Sequence, residues 1–145
     1  MINLSISTPF KKLVRKEWFI ASVEQTFNSE EIDTILTDVS ILVRDDAFIR
    51  KYKKEYFGID EATDVLSFPA GETSPETNHY YLGDIILSYP QAENNAKQAN
   101  KSTQQEIKLL VIHGILHLLG YDHADEKTQK VMWEKQESIL RLLPD

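Results

Sequence analysis

The chain contains no cysteine. Disulfide scaffolds, thiolate zinc sites and cysteine nucleophiles are therefore excluded, and any metal must be held by His, Asp or Glu. Internal repeats and low-complexity tracts are also missing. With 41% apolar and 27% charged residues, the sequence is neither wholly disordered nor fibrous. Long apolar runs are lacking as well. The longest, Leu109 to Leu119, contains two histidines and falls short of the roughly 20 residues a membrane span needs. The first ten residues carry no basic segment and no continuous apolar stretch, so no signal peptide is expected and a cytoplasmic location is the default. Positive charge is in deficit, 16 Lys and Arg against 23 Asp and Glu. The net charge of -7 argues against a simple polyanion binder. The deficit is uneven: residues 1–57 are balanced, and the acidic excess lies wholly in 58–145. Basic residues cluster at Lys11, Lys12, Arg15 and Lys16 and again at Arg50, Lys51, Lys53 and Lys54. Such faces can contact phosphate or simply be solvated.

The 145 residues suit one domain with one core. Ile2 to Ser7 alternates as a half-buried strand does. Phe10 to Phe27 has helical spacing, with Leu13, Val14, Trp18, Ala21 and Phe27 on one face. Ile35 to Val43 reads as a strand, and Asp45 or Asp46 can cap a helix that Gly58 ends. Val65 to Phe68 is expected to be a short strand stopped by Pro69, followed by a loop to His79. Tyr80 to Ser88 is a strand in which Gly83 marks a close backbone approach. Pro90 suits the first turn of a helix. Lys101 to Leu119 is a helix apolar nearly all round in its second half, hence central and buried. Asp125 can cap a last helix. The order βαβαββααα predicts an α+β domain, residues 1–145, with a small mixed sheet of about four strands packed with helices.

Three of the four histidines fall within eleven residues, His113-Gly-Ile-Leu-His117-Leu-Leu-Gly120-Tyr-Asp-His123. His113 and His117, four apart, project from one helix face. Gly120 can end the helix in the left-handed conformation, letting His123 swing back toward them. Three imidazoles with an open fourth position define a catalytic type of zinc site, one ion per chain, and a metal gives a reason to bury histidines in an apolar helix. The spacing equals the extended zincin motif H-E-x-x-H-x-x-G-x-x-H except that Gly114 stands where those proteases carry their general base. Peptide hydrolysis by the zincin route is therefore not expected.

The segment from His113 to His123 resembles the signature of the YbeY family of bacterial rRNA maturation factors. Thr63-Asp-Val-Leu-Ser-Phe-Pro69 and Gly83-Asp-Ile-Ile-Leu-Ser88 agree in the same order, so that the resemblance covers about residues 38–143. It implies a small sheet with helices packed around it and a zinc bound by His113, His117 and His123. The implied activity is that of a metal-dependent, single-strand-specific endoribonuclease. It would act on rRNA and ribosomal particles in 16S rRNA 3′ end processing and ribosome quality control. The chain departs from the family in one segment. The family usually has Tyr-Arg-Gly, and a Pro before the Thr; here stand Tyr56-Phe57-Gly58 and Ala62-Thr63. The role of that arginine is not carried over to Phe57; Lys53 or Lys54, nearly one helical turn earlier, can substitute for it in substrate contact or be simply solvated. The alternatives are a zinc hydrolase of another substrate, such as a peptide, and a ribosome-associated RNA-binding factor with a structural metal.

Of the other polar residues, Ser67 can hold a phosphate or order a water, or have its hydroxyl satisfied by a neighbouring strand. Asp84 can accept an imidazole N–H or cap a strand end. Asp122, beside His123, can accept an imidazole N–H or cap the last helix. Ser67 and Asp122 are the catalytic candidates. Tyr121 is read as packing, and His79 as an exposed bystander. Met132 can lie beneath the metal or pack in the core. Trp133, Ile139, Leu140 and Leu143 are expected to seat the last helix.

Overall fold

In the computed structural model, which describes residues 1–144, the elements follow the expected order. They are β1 (Ile2–Ile6), α1 (Lys16–Ser29), β2 (Thr37–Arg44), α2 (Asp46–Phe57), β3 (Val65–Thr73), β4 (Tyr80–Ser88), α3 (Tyr89–Gln98), α4 (Thr103–Leu118) and α5 (Glu126–Arg141), with a 3₁₀ turn at Thr8–Phe10. The four strands form one mixed sheet in the order β1-β2-β4-β3. β1 and β4 run parallel to β2, while β3 is antiparallel to β4. The architecture is thus the expected α+β one.

Period-2 patterning assigns the two faces of the sheet. Along β2, Thr37, Val39, Ile41 and Val43 are buried, and the residues between them are half-buried. The register carries the buried row onto Gly83, Ile85 and Leu87 of β4. This face meets α1 and α4, where Phe19, Val23, Phe27, Ile107, Val111 and Ile115 close the main core. Helix α4 is central, in contact with α1, α3, α5, β3 and β4. A second cluster joins Ile112 and Leu116 of α4 to Met132 and Ile139 of α5.

Local chemistry sets the boundaries. Asp45 caps α2, accepting from the Phe48 N–H at 2.9 Å, and Gly58 ends it at φ 70°. Ser102 and Gln105 form a reciprocal capping box at the start of α4, as Asp125 and Thr128 do for α5. At Gly83, φ 148°, a side chain would run into the Phe68 carbonyl and come within 2.9 Å of Leu118. Gly83 is therefore where α4 closes on the sheet, the close approach that its place in a strand predicts.

Three expectations are corrected. Helix α1 begins at Lys16, not Phe10. The preceding chain is a 3₁₀ turn with Pro9 in its first turn and Phe10 stacked on Tyr89 at 5.0 Å between ring centroids. Leu13 is consequently exposed, and the buried face of the helix is Phe19, Ser22, Val23, Thr26 and Phe27. Strand β2 starts at Thr37, leaving Ile35 exposed. Pro69 does not stop β3, which continues to Thr73 through a register shift between Pro69 and Glu72. β3 lies at the sheet edge, where a missing ladder donor is tolerated.

Candidate metal centre

His113 and His117 lie one turn apart in the last half of α4, their rings T-shaped at 4.5 Å between centroids. The helix ends in paired reverse hydrogen bonds: Gly120 N–H donates to the His117 carbonyl and Tyr121 N–H to that of Leu116, both at 3.0 Å. This is the Schellman arrangement, with Gly120 at φ 102°. The turn brings the His123 ring to 5.7 Å from His113 and 5.0 Å from His117. One ring nitrogen from each of the three histidines lies within 4.8 Å of the others. The set can hold a metal ion.

The donor chemistry fits such an ion. The Nε2 atoms of His113 and His117 face each other at 3.0 Å. The Nδ1–H of His113 donates to the Oε1 of Gln136, so its Nε2 presents a lone pair. Burial, followed by the mutual repulsion of the imidazoles, holds His113 and His117 below the usual histidine range, in the neutral form that ligates. The Gln136 bond opposes the shift at His113, and the backbone of Tyr121 with the Asp122 charge opposes it at His117. The turn that carries His123 is pinned through Tyr121. The Glu30 carboxylate at the end of α1, together with partial burial, pushes the Tyr121 hydroxyl up to about 12. Tyr121 stays protonated, and it holds the turn by its backbone bond to Leu116 and by packing its ring against the Ile112, Leu116, Met132 and Ile139 cluster.

Gly114 explains the missing glutamate. A Cβ there would sit 3.0–3.3 Å from the side chain of Ile85, so helix and sheet are already in contact at that point. The Gly114 carbonyl accepts from the Ser67 hydroxyl at 3.1 Å. Ser67 is thus satisfied by α4 rather than by a neighbouring strand, one residue along from His113.

The remaining candidates are placed as follows. Asp84 lies on the opposite face of the sheet, in register with Ser40, and its carboxylate accepts from the Tyr81 hydroxyl. The period-2 geometry that puts Gly83 and Ile85 toward α4 turns Asp84 away, so it does not orient an imidazole. Asp122 accepts from the backbone N–H of His123 at 2.7 Å and does not cap α5, which Asp125 does. Lys53 pairs with Glu61 at 3.1 Å, whereas Lys54 is exposed and outside any ion pair among the described residues. His79 is half-buried and sits 3.1 Å from Asp38, so it is a paired residue rather than an exposed one. Met132 is fully buried among Ile112, Leu116 and Ile139 and takes the core role. Trp133 does not seat α5: it is 51% exposed, and Gln136 is the residue buried beside the histidines. The signal in the sequence is a glutamine at helical spacing from the apolar Met132 and Ile139, on the face that packs inward.

A site of this kind, three histidines on a helix–turn inside a small α+β fold, offers the donor set that hydrolytic metal centres use. The sequence model of the family described as Endoribonuclease YbeY matches residues 3–144. The chain is 38% identical over 136 residues to the Endoribonuclease YbeY of Persephonella marina, covering 88% of this chain and 89% of the relative. It is 46% identical over 110 residues to that of Desulforamulus reducens, covering 73% and 72%. The solution structure of TM1509 from Thermotoga maritima superposes with a TM-score of 0.65 at 31% identity, covering 97% of this chain and 87% of that one. The chain belongs to the YbeY family.

Proposed function

We propose that residues 1–145 form one metal-dependent hydrolase domain that cuts single-stranded RNA, with a single zinc ion held by His113, His117 and His123. Its substrate is rRNA, at the 16S 3′ end and on ribosomal particles under quality control, in the cytoplasm. The observation that carries the reading is the convergence of three ring nitrogens within 4.8 Å, in a chain whose relatives are named as endoribonucleases. No helix among the described residues is long and apolar enough to cross a membrane.

A zinc ion held by His113, His117 and His123 would supply Lewis acidity toward a phosphoryl oxygen and would lower the pKa of water toward neutrality. The protein's own part is orientation. Gln136 fixes the tautomer and ring plane of His113, the backbone bond and ring packing of Tyr121 hold the His123 turn, and burial keeps His113 and His117 unprotonated. Ser67 spends its proton on the Gly114 carbonyl and keeps lone pairs to accept from a hydroxyl or water. Asp122, exposed beside His123, is the carboxylate available to take a proton. Of the α2 lysines, Lys54 contacts phosphate more readily, since Lys53 would have to leave Glu61.

The test pairs metal analysis of the purified protein with cleavage of single-stranded and duplex RNA by wild type and His117→Ala. Single-strand cleavage lost to chelation and to the substitution, with duplex spared, is the expected result. Chelator-sensitive cleavage of casein would overturn the reading in favour of a peptidase. Tight binding to ribosomal particles without cleavage would overturn it in favour of a non-catalytic factor.

A further inference from the structure

Helix α5 buries Met132, Gln136 and Ile139, yet its largest side chain, Trp133, stands 51% exposed. The indole is not an isolated surface residue. It lines a groove of about 450 Å³ together with His113, Gln136, Asp64, Val65 and Leu109. That volume lies within the range of about 300–1,000 Å³ typical of small-molecule sites. The groove therefore borders a histidine of the metal centre, and Gln136 lies between the two.

The chemistry of the lining selects an occupant. No Lys or Arg lines the groove, and Asp64, Glu106 and Glu137 do. Two of these carboxylates are already engaged. Glu106 pairs with Lys101 at 2.7 Å, and Asp64 accepts from the Asn95 side chain at 3.1 Å. The charged side chains lining the groove are all acidic, which disfavours a phosphate inside it, whereas a flat, uncharged heterocycle finds an aromatic face and an apolar floor. Sequence-tolerant stacking of a base on an exposed aromatic ring is how proteins hold single strands, because every base has a π-face. We infer that this groove is a nucleobase subsite, in which Trp133 stacks the base of a nucleotide adjoining the scissile bond while the phosphates stay outside. The inference rests on the single-stranded RNA reading and gives the site its positioning residue.

The experiment uses the full chain with Trp18→Phe, so that Trp133 is the remaining tryptophan. Its emission is titrated with oligocytidylate, without and with His117→Ala, and binding is compared by anisotropy of a labelled oligomer for Trp133→Phe and Trp133→Leu. Expected are quenching of Trp133 emission that survives His117→Ala and near-wild-type binding by Trp133→Phe. Trp133→Leu is expected to bind about 5- to 100-fold more weakly, with unchanged metal content and melting temperature. In the cleavage assay the same loss appears in KM, with kcat little changed. Absence of quenching, or wild-type affinity in Trp133→Leu, overturns the subsite while leaving the metal centre intact. Quenching in a wild-type protein that cleaves no RNA supports the subsite and overturns the endoribonuclease reading.

Discussion

Gln136 is the residue whose replacement tests the metal centre most directly. It is 6% exposed, and its Oε1 accepts the Nδ1–H of half-buried His113. Gln136→Leu keeps much of the volume and removes the acceptor. His113 then has two choices. It can keep the proton on Nδ1, unpaired and largely desolvated, at a cost of about 1–3 kcal/mol. Alternatively it can move the proton to Nε2, the atom that faces His117 and would ligate zinc. Both routes weaken binding. Loss of such an orienting partner typically costs 10–100-fold in metal affinity, or about 1.4–2.7 kcal/mol. Gln136→Glu should act in the other direction, since a carboxylate is the stronger acceptor and raises imidazole basicity. The assay is a competition titration of zinc against a chromophoric chelator at pH 7.5, with the melting temperature of the metal-free proteins as control. Equal zinc affinity in wild type and Gln136→Leu would refute the argument, as would a Gln136→Glu protein that binds zinc more weakly than Gln136→Leu.

Three further outcomes follow from the same geometry. His113→Ala, His117→Ala and His123→Ala should each lower zinc content well below one per chain, while His79→Ala, paired with Asp38 and outside the three-histidine group, should not; elemental analysis decides, and two triad variants with full metal would dismiss the ligand set. Gly114→Glu should destabilise by about 1–3 kcal/mol in urea unfolding and confer no peptidase activity, because its side chain starts against Ile85; a variant as stable as wild type would contradict the packing argument. Because the folded pKa values of His113 and His117 are lowered, first by burial, the unfolded chain takes up protons before the folded one. Stability is therefore fully present above about pH 6.5 and is lost as pH falls below it, with zinc release following the same trend. Thermal melts with and without EDTA between pH 5 and 8 check this, and a melting temperature flat across that range would count against it.

The readable parts of the sequence were those in which local chemistry acts alone. The spacing of His113 and His117, the helix stop at Gly120 and the caps at Asp45 and Asp125 depend on few neighbours, and each is found in the structure. Asp84 was misread because the side of a strand is settled by its partners in the sheet, not by the strand itself. Trp133 and Gln136 illustrate the same point on a helix. Hydrophobicity argued for burying the tryptophan, but the turn of α5 that meets His113 carries the glutamine, and tertiary contact outweighed residue type. The start of α1 was obscured because the stacking of Phe10 on Tyr89 joins residues far apart in the chain.

Pro69 has a consequence for how molecules meet one another. β3 is an outer strand of the sheet, and a long, flat outer strand is a template on which a second chain can add its own. Pro69 withholds one backbone donor from any such newcomer, and the register shift between Pro69 and Glu72 bends the strand out of the regular repeat a neighbour would need. The same residue that predicts an early end to β3 in the sequence blunts the sheet against open-ended association, on the strand whose Ser67 bonds to the helix of the three histidines.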